Sequence, residues 1–389
     1  MLGAIVGDVI GSTYESLSQK TKDFEFLNPW SQCTDDSVMT IAVAHALEAG
    51  RPWAEVMREV GLEYPTAGYG GHFIRWLHDP TEGPYNSWGN GSAMRVSPVG
   101  WAFDTEAEVL AAAGAQAAVS HNHPEGIKGA QAVAMAVFLA RRGASKAEIA
   151  RRVTEQTGYD LSRRLEDLRP DYEFHVDCQR SVPEALIAFL ESTDFDDALR
   201  NAISLGGDAD TQACIAGAVA EAFYGGVPDV TSEFALGRVT PWLLDRSVPF
   251  LGRFGLPGSA AQARARRDAV HTLLTSACDV ALAQLPFSDA VFVSFSGPVL
   301  FPKGSNTLGR LTDLVRAGWT RLLLDTREVR RFSEADWSKL EFLRKSCRVR
   351  RGLVALVGSP NRSMFDRFAE PEAALAALDA SRGKGRMVF

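Results

Sequence analysis

The segment TQACIAGAVAEAFYG, residues 211–225, carries small or apolar side chains on most sides of a helix. Such a helix has no broad face to give to water, so it belongs at the centre of a helical domain. EGIKGAQAVAMAVFLARRGA (125–144) has the same texture, and VMTIAVAHALEAG (38–50) repeats apolar residues at spacings of three and four. Glycine-rich loops, TAGYGGHF, SWGNGS and LGGDAD, lie between these stretches, and convincing alternating strands are absent. The pattern predicts an all-α domain over residues 1–257 with its loops gathered around a site.

The texture then changes. After a helical linker at 258–284, short β-branched or leucine-rich runs, DAVFVSFSG, TRLLLDT and GLVALVG, alternate with helical stretches TLGRLTDLVRAG, SEADWSKLEFLRK and PEAALAALDA. Residues 285–389 therefore read as a small α/β domain, and a chain of 389 residues is too long for one ordinary core. The net charge of −7 opposes a general nucleic-acid or anionic-membrane partner. The five cysteines are scattered without CxxC spacing, which excludes a disulfide framework or zinc finger. The apolar opening carries Asp8 and lacks a basic start, so it reads poorly as a signal peptide, and no apolar run suits a membrane span. The expectation is a reduced, cytoplasmic protein.

Two helices begin alike. Thr34, Asp35 and Asp36 precede the first, and Asp208, Asp210 and Thr211 open the last. Helix capping explains such residues one at a time, since Asp and Thr are favoured caps. A cap needs one oxygen, however, and here stand four carboxylates and two hydroxyls. If the helices adjoin, the like charges repel unless a cation neutralises them. Mg²⁺ takes such oxygen ligands and Mn²⁺ accepts the same set, so two ions bridged by carboxylates would form a binuclear site.

Five ordered motifs, GAIVGDVIGSTYE (3–15), TDDSVMT (34–40), WGNGSAMRVSPVG (88–100), SHNHPEGIKGAQA (120–132) and GGDADTQACIAGA (206–218), resemble the ADP-ribosylglycohydrolase family over roughly residues 1–250. The resemblance implies hydrolysis of the bond between ribose C1″ and an acceptor in an ADP-ribosylated protein or small molecule, with oxocarbenium character at the ribose. It implies metal ligands at Thr34, Asp35, Asp36, Asp208, Asp210 and Thr211, and a proton acceptor for the attacking water at Asp35 or Asp36. Glu15 matches a glutamate that some members place over the site as a gate; read alone, it is a solvated loop acid. Substrate contacts are implied at Gly89, Asn90, Gly91, Met94, His121, His123 and Gly126. Arg95 pairs with phosphate or an internal acid, Asp8 takes a structural bond or a site role, and Phe73, Trp76 and Trp88 stack adenine or fill the core.

Residues 288–380 resemble a STAS domain, the anti-sigma-factor-antagonist fold, with a strand ending at Asp325. Where phosphorylatable members carry an Asp-Ser pair, this chain has Ser333 and Glu334, a departure that argues against serine phosphoregulation. That domain reads as an interaction or small-ligand module with a protein partner. Two functional classes remain: a hydrolase, and an ADP-ribose sensor that signals through the second domain. The complete ligand set favours the hydrolase.

Overall fold

The computed structural model describes residues 1–28, 30–65, 67–275, 280–284, 290–295, 307–316, 321–327, 329, 332–349, 353–357 and 366–368. The chain divides into two compact units, Met1–Arg266 and Arg267–Phe389. Among the described residues the first unit is helical throughout, its strand-like pairing limited to one bridge between Gly89 and Asp177.

The expected central helix runs over Ala209–Tyr224, and from Ala209 to Ala222 every residue is buried. Its main partner is a helix that periodicity did not predict, Leu2–Gly11, all ten residues of which are buried. Gly3, Gly7 and Gly11 recur at a spacing of four and present one bare stripe. A Cβ on Gly7 would stand 2.0 Å from the Ala213 carbonyl oxygen, one on Gly3 2.2 Å from that of Gly217, and one on Gly11 2.5 Å from that of Ala209. The two backbones therefore touch directly, and any side chain on that stripe would force them apart.

This contact positions the site. The C-terminal end of Leu2–Gly11 lies beside the start of Ala209–Tyr224, with Gly11 against Asp210. Asp8, one turn earlier, reaches the start of the helix Asp35–Ala49 through Thr34 and Ser37. One short helix thus brings both acidic clusters together. The helix Pro124–Arg141 packs on the other side of the same core and opens with proline, whose missing N–H costs nothing in a first turn.

In the second unit, β1 (Val280–Gln284), β2 (Ala290–Phe295), β3 (Arg321–Asp325), β4 (Leu353–Val357) and β5 (Asp366–Phe368) form one sheet in sequential order. β1 runs antiparallel to β2, and the remaining pairs are parallel. The parallel connections from β2 to β3 and from β3 to β4 carry the helices Thr307–Arg316 and Glu334–Val349. Leu311, Leu314, Leu340 and Leu343 of those helices share a core with Val293, Leu324 and Leu356 of the strands. β1 corrects the expected helical linker: VALAQ is a strand, because a run of four apolar residues and a glutamine does not separate helix from strand by period alone. The stretch 371–380 and Cys278 lie outside the described residues. No helix among the described residues is long and apolar enough to cross a membrane.

Candidate active site

Thr34 and Asp208 occupy N-cap positions, yet neither side chain caps its own helix. Elsewhere in the same unit Thr105, Ser145, Asp177, Asp194 and Thr240 do cap theirs. The difference shows that capping is not what the two acidic clusters are for. At the first cluster the cap comes from another helix. Asp8 Oδ2 accepts from the backbone N–H groups of Thr34 (3.0 Å) and Ser37 (3.1 Å) and from the Ser37 hydroxyl, while Oδ1 accepts from the Thr34 hydroxyl at 2.5 Å. Asp8 thereby supplies the side-chain cap at this helix start, a role that does not fall to Asp35 or Asp36.

Oxygens of Asp8, Asp36 and Asp210 lie within 4.8 Å of one another, and so do oxygens of Glu15, Asp208 and Asp210. Asp210 belongs to both groups. Asp36 Oδ1 is buried and receives no hydrogen bond among the described residues. Asp208 accepts from Asn90 Nδ2 at 2.7 Å, and the Thr211 hydroxyl donates to Asp36 Oδ2 at 3.4 Å. An orphaned buried carboxylate oxygen among five other acids is a donor set suited to a hard cation, and these side chains could bind a metal.

The electrostatics agree. Burial, then repulsion from Asp208, Asp36, Glu15 and Asp8, holds Asp210 well above the usual carboxylate range. Burial and the charges of Asp8, Asp35 and Asp208 do the same to Asp36. Burial also raises Asp208 and Asp8 to about 6, with hydrogen bonds pulling the other way. Each shift has the sign of a carboxylate that lacks a counter-charge.

Asp35, Asp36, Asp208 and Asp210 line one cavity of about 420 Å³ together with Glu15, Gly89, Asn90, Gly91, Met94, His121 and Thr211. Asp35 and Asp36 both reach it, Asp35 half-buried and Asp36 fully buried. Thr34, His123 and Gly126 are not part of its wall. Thr34 is bonded to Asp8 behind the cavity. His123 caps the helix Pro124–Arg141, Nδ1 accepting the Glu125 N–H at 3.1 Å. Gly126 serves packing, since a Cβ there would stand 2.6 Å from the Ser87 carbonyl oxygen. Of the aromatic candidates, Phe73 lines the cavity, Trp76 is core beneath the Arg58 guanidinium, and Trp88 is exposed with its ring against His123.

Arg95 is buried at the cavity wall, and its guanidinium forms an ion pair with no carboxylate among the described residues. Instead Nε donates to Gln116 Oε1 (2.9 Å) and Nη2 to the Gln116 carbonyl (3.1 Å) and Ser120 Oγ (2.9 Å). Sequence reasoning missed Tyr85, His72, Phe174 and Val176, which also line the cavity. Val176 and Trp88 form hydrogen bonds across to Asn90 and Cys178, so the segment 176–178 closes one wall through backbone pairing, which leaves no side-chain signature.

The description ADP-ribosylglycohydrolase matches residues 1–236, more than half of the chain. An ADP-ribosylhydrolase ARH3 from Mus musculus is 28% identical over an alignment covering 58% of this chain and 82% of the relative. The ADP-ribosyl-[dinitrogen reductase] glycohydrolase of Rhodospirillum rubrum is 28% identical, covering 59% of this chain and 86% of the relative. A solved structure described as an ADP-ribosylglycohydrolase-related protein complex shares the fold, with a TM-score of 0.52 at 24% identity over 66% of this chain and 97% of its own. Acidic cavity, helical frame and these likenesses agree over one region: the chain belongs to the ADP-ribosylglycohydrolase family.

Proposed function

We propose that the first unit hydrolyses the bond between ribose C1″ and the acceptor of an ADP-ribosylated target, with two Mg²⁺ ions, replaceable by Mn²⁺, held among the acids. The observation that carries this reading is the pair of overlapping carboxylate groups sharing Asp210. An acid common to both groups is placed to bridge two cations, with Asp36 on one side of it and Asp208 on the other. Asp36, Asp208, Asp210 and Thr211 hold the ions, with Asp35 at the cavity wall and Asp8 and Thr34 fixing the first cluster from behind. When bound, divalent cations supply Lewis acidity towards water and the ribose oxygens.

The chain's own groups do the rest. Asp35 reaches the cavity from a half-buried position and takes the proton of the attacking water. Glu15, beside Asp208 and Asp210, covers the acidic end. The wall of Gly89, Asn90, Gly91, Met94 and His121 receives the remainder of the ADP-ribosyl group, Asn90 being held by Asp208 and pairing its N–H with the Val176 carbonyl at 2.8 Å.

The second unit is read as a STAS-like interaction module that selects partner or place. Support comes from its parallel β2–β5 sheet with alternating helices. Ser333 accepts the Asp336 N–H and donates to its carboxylate at 2.7 Å, so its hydroxyl serves as a helix cap.

The test is a release assay on ADP-ribosyl-arginine, ADP-ribosyl-serine and ADP-ribosylated nucleic acid, with Mg²⁺ or Mn²⁺ and with EDTA. Metal-dependent turnover beyond one equivalent on any of them supports the hydrolase and names its acceptor. Tight ADP-ribose binding with no turnover on all three substrates returns the sensor reading.

A further inference from the structure

His121 has a buried ring at the cavity wall. A neutral imidazole carries its proton on one nitrogen or the other, and the choice decides whether it offers the cavity a donor or an acceptor. The neighbours of His121 settle that choice by counting hydrogens. Arg95 Nη2 has two hydrogens, and two acceptors are in place for them: the Gln116 carbonyl at 3.1 Å and Ser120 Oγ at 2.9 Å. A guanidinium cannot accept, so Ser120 Oγ accepts there. The serine hydroxyl has one hydrogen left to give, and its remaining partner is His121 Nδ1 at 2.8 Å. The oxygen's second lone pair could also accept an Nδ1–H, but the serine hydrogen would then be buried with no acceptor among the described residues, so Nδ1 is the bare nitrogen and the ring proton sits on Nε2.

Nε2 is the nitrogen turned towards the glycine loop of the cavity: a Cβ on Gly91 would stand 3.0 Å from it and one on Gly89 3.6 Å. Among the described residues nothing accepts its hydrogen. Gln116 locks the other end of the chain, because its side-chain oxygen takes Arg95 Nε at 2.9 Å while its amide donates to the Ser92 carbonyl at 2.9 Å.

We propose that Ser120 is a positioning residue, which relays the fixed donor character of Arg95 to His121 and holds it as a permanent Nε2–H donor facing the ligand. The ligand atom opposite it is then an acceptor, a phosphate or hydroxyl oxygen, and His121 takes no part as a general base. That assignment of the ligand atom rests on the ADP-ribosyl reading; the tautomer does not. The groups facing the ring are Arg95 and Tyr85, whose ring lies 5.7 Å away, and neither is an acid that would favour an imidazolium. Burial and then the Arg95 charge push the His121 pKa well below its ordinary value.

The tautomer is read directly by long-range ¹H–¹⁵N correlation on the full chain labelled at histidine, His121 being assigned by the signals lost in His121→Gln. Between about pH 5 and 8, one protonated and one bare nitrogen, unchanging with pH and with the proton on Nε2, is expected. A proton on Nδ1, or a ring that titrates in that range, overturns the proposal without touching the hydrolase reading. Ser120→Ala supplies the second arm. With the melting temperature held, ADP-ribose binds about tenfold more weakly by calorimetry, the scale of one lost hydrogen bond. In a His121→Gln background, where the amide is always a donor, the same substitution costs much less. Equal losses in both backgrounds show that Ser120 acts on packing alone and overturn the relay.

Discussion

Thr34–Asp36 and Asp208–Thr211 read as two copies of one motif, yet the fold holds them by different means. The first is tied by hydrogen bonds to a single side chain, Asp8, which takes both backbone and hydroxyl donors from Thr34 and Ser37. The second is placed by backbone contact, its helix lying directly on Gly3, Gly7 and Gly11. One cluster depends on a polar network and the other on the absence of side chains. Damage to each should therefore differ in kind, and the substitutions below separate the two.

The largest difference should appear between Asp210 and Asp8. Asp210 stands in both carboxylate groups, so Asp210→Asn is expected to lower turnover by on the order of 10³-fold or more and to abolish Mg²⁺-dependent thermal stabilisation. Asp8 acts from behind Thr34, and loss of such a supporting group costs on the order of 10–100-fold. Steady-state release by the two variants at saturating Mg²⁺ measures the contrast. An equal loss would make Asp8 a ligand in its own right. Full activity of Asp210→Asn would remove the binuclear reading.

The packing cluster is tested by glycine substitutions of opposite expectation. Gly7→Ala places a methyl 2.0 Å from a carbonyl oxygen that cannot swing away, so it should destabilise the first unit by about 1–3 kcal/mol. Gly114→Ala meets its nearest atom, Gln131 Nε2, at 3.5 Å, an ordinary contact, and should be neutral or stabilising by up to about 1 kcal/mol through helix propensity. Chemical denaturation of both variants gives the answer. If Gly7→Ala is as stable as Gly114→Ala, the helices are not in backbone contact.

That contact also marks where sequence reasoning stopped. The helix Ala209–Tyr224 announced its burial through composition, and the acids at its mouth announced a shared charge problem. The helix Leu2–Gly11 was harder to read, because ten residues buried on every face have no amphipathic period to detect. Its glycine stripe means something only once the partner stripe of Ala209, Ala213 and Gly217 is known. Asp8 was open between two roles for the same reason: its partners are 26 and 29 residues away. The wall formed by Phe174 and Val176 was invisible because a single backbone bridge holds it. β1 was taken for helix since five residues are too short a window for either period to show.

Protons and metal should compete at the acids, with a sign that follows from their raised pKa values. Asp8 and Asp208 titrate near 6 in the folded chain against about 3.9 in an unfolded one. Between those values the folded state holds more protons, so the metal-free protein loses stability as pH rises through that window. A cation replaces the protons, and its stabilisation should grow over the same range. Melting temperatures with EDTA should fall from pH 4.5 to 7, and Mg²⁺ should restore them at pH 7 but not at about pH 4.5. Melting temperatures that respond to Mg²⁺ equally at both values would mean that the ion does not displace protons from these acids.

The smallest effect is expected where neither cluster is touched. Both acidic groups, the glycine stripe and every residue lining the cavity lie within Met1–Arg266, and the helix Ser259–Thr275 carries the chain out of that unit. Removing the chain after Thr275 cuts no bond between the clusters. The fragment should turn over a small ADP-ribosylated substrate within about twofold of the full chain, since surface changes away from a site leave its energetics nearly unchanged. Discrimination among large protein targets should then differ between fragment and full chain if the second unit has the partner-selecting role proposed for it. A fragment that folds, binds Mg²⁺ and yet fails on the small substrate would assign part of the catalysis to residues 276–389, and the two clusters would no longer suffice.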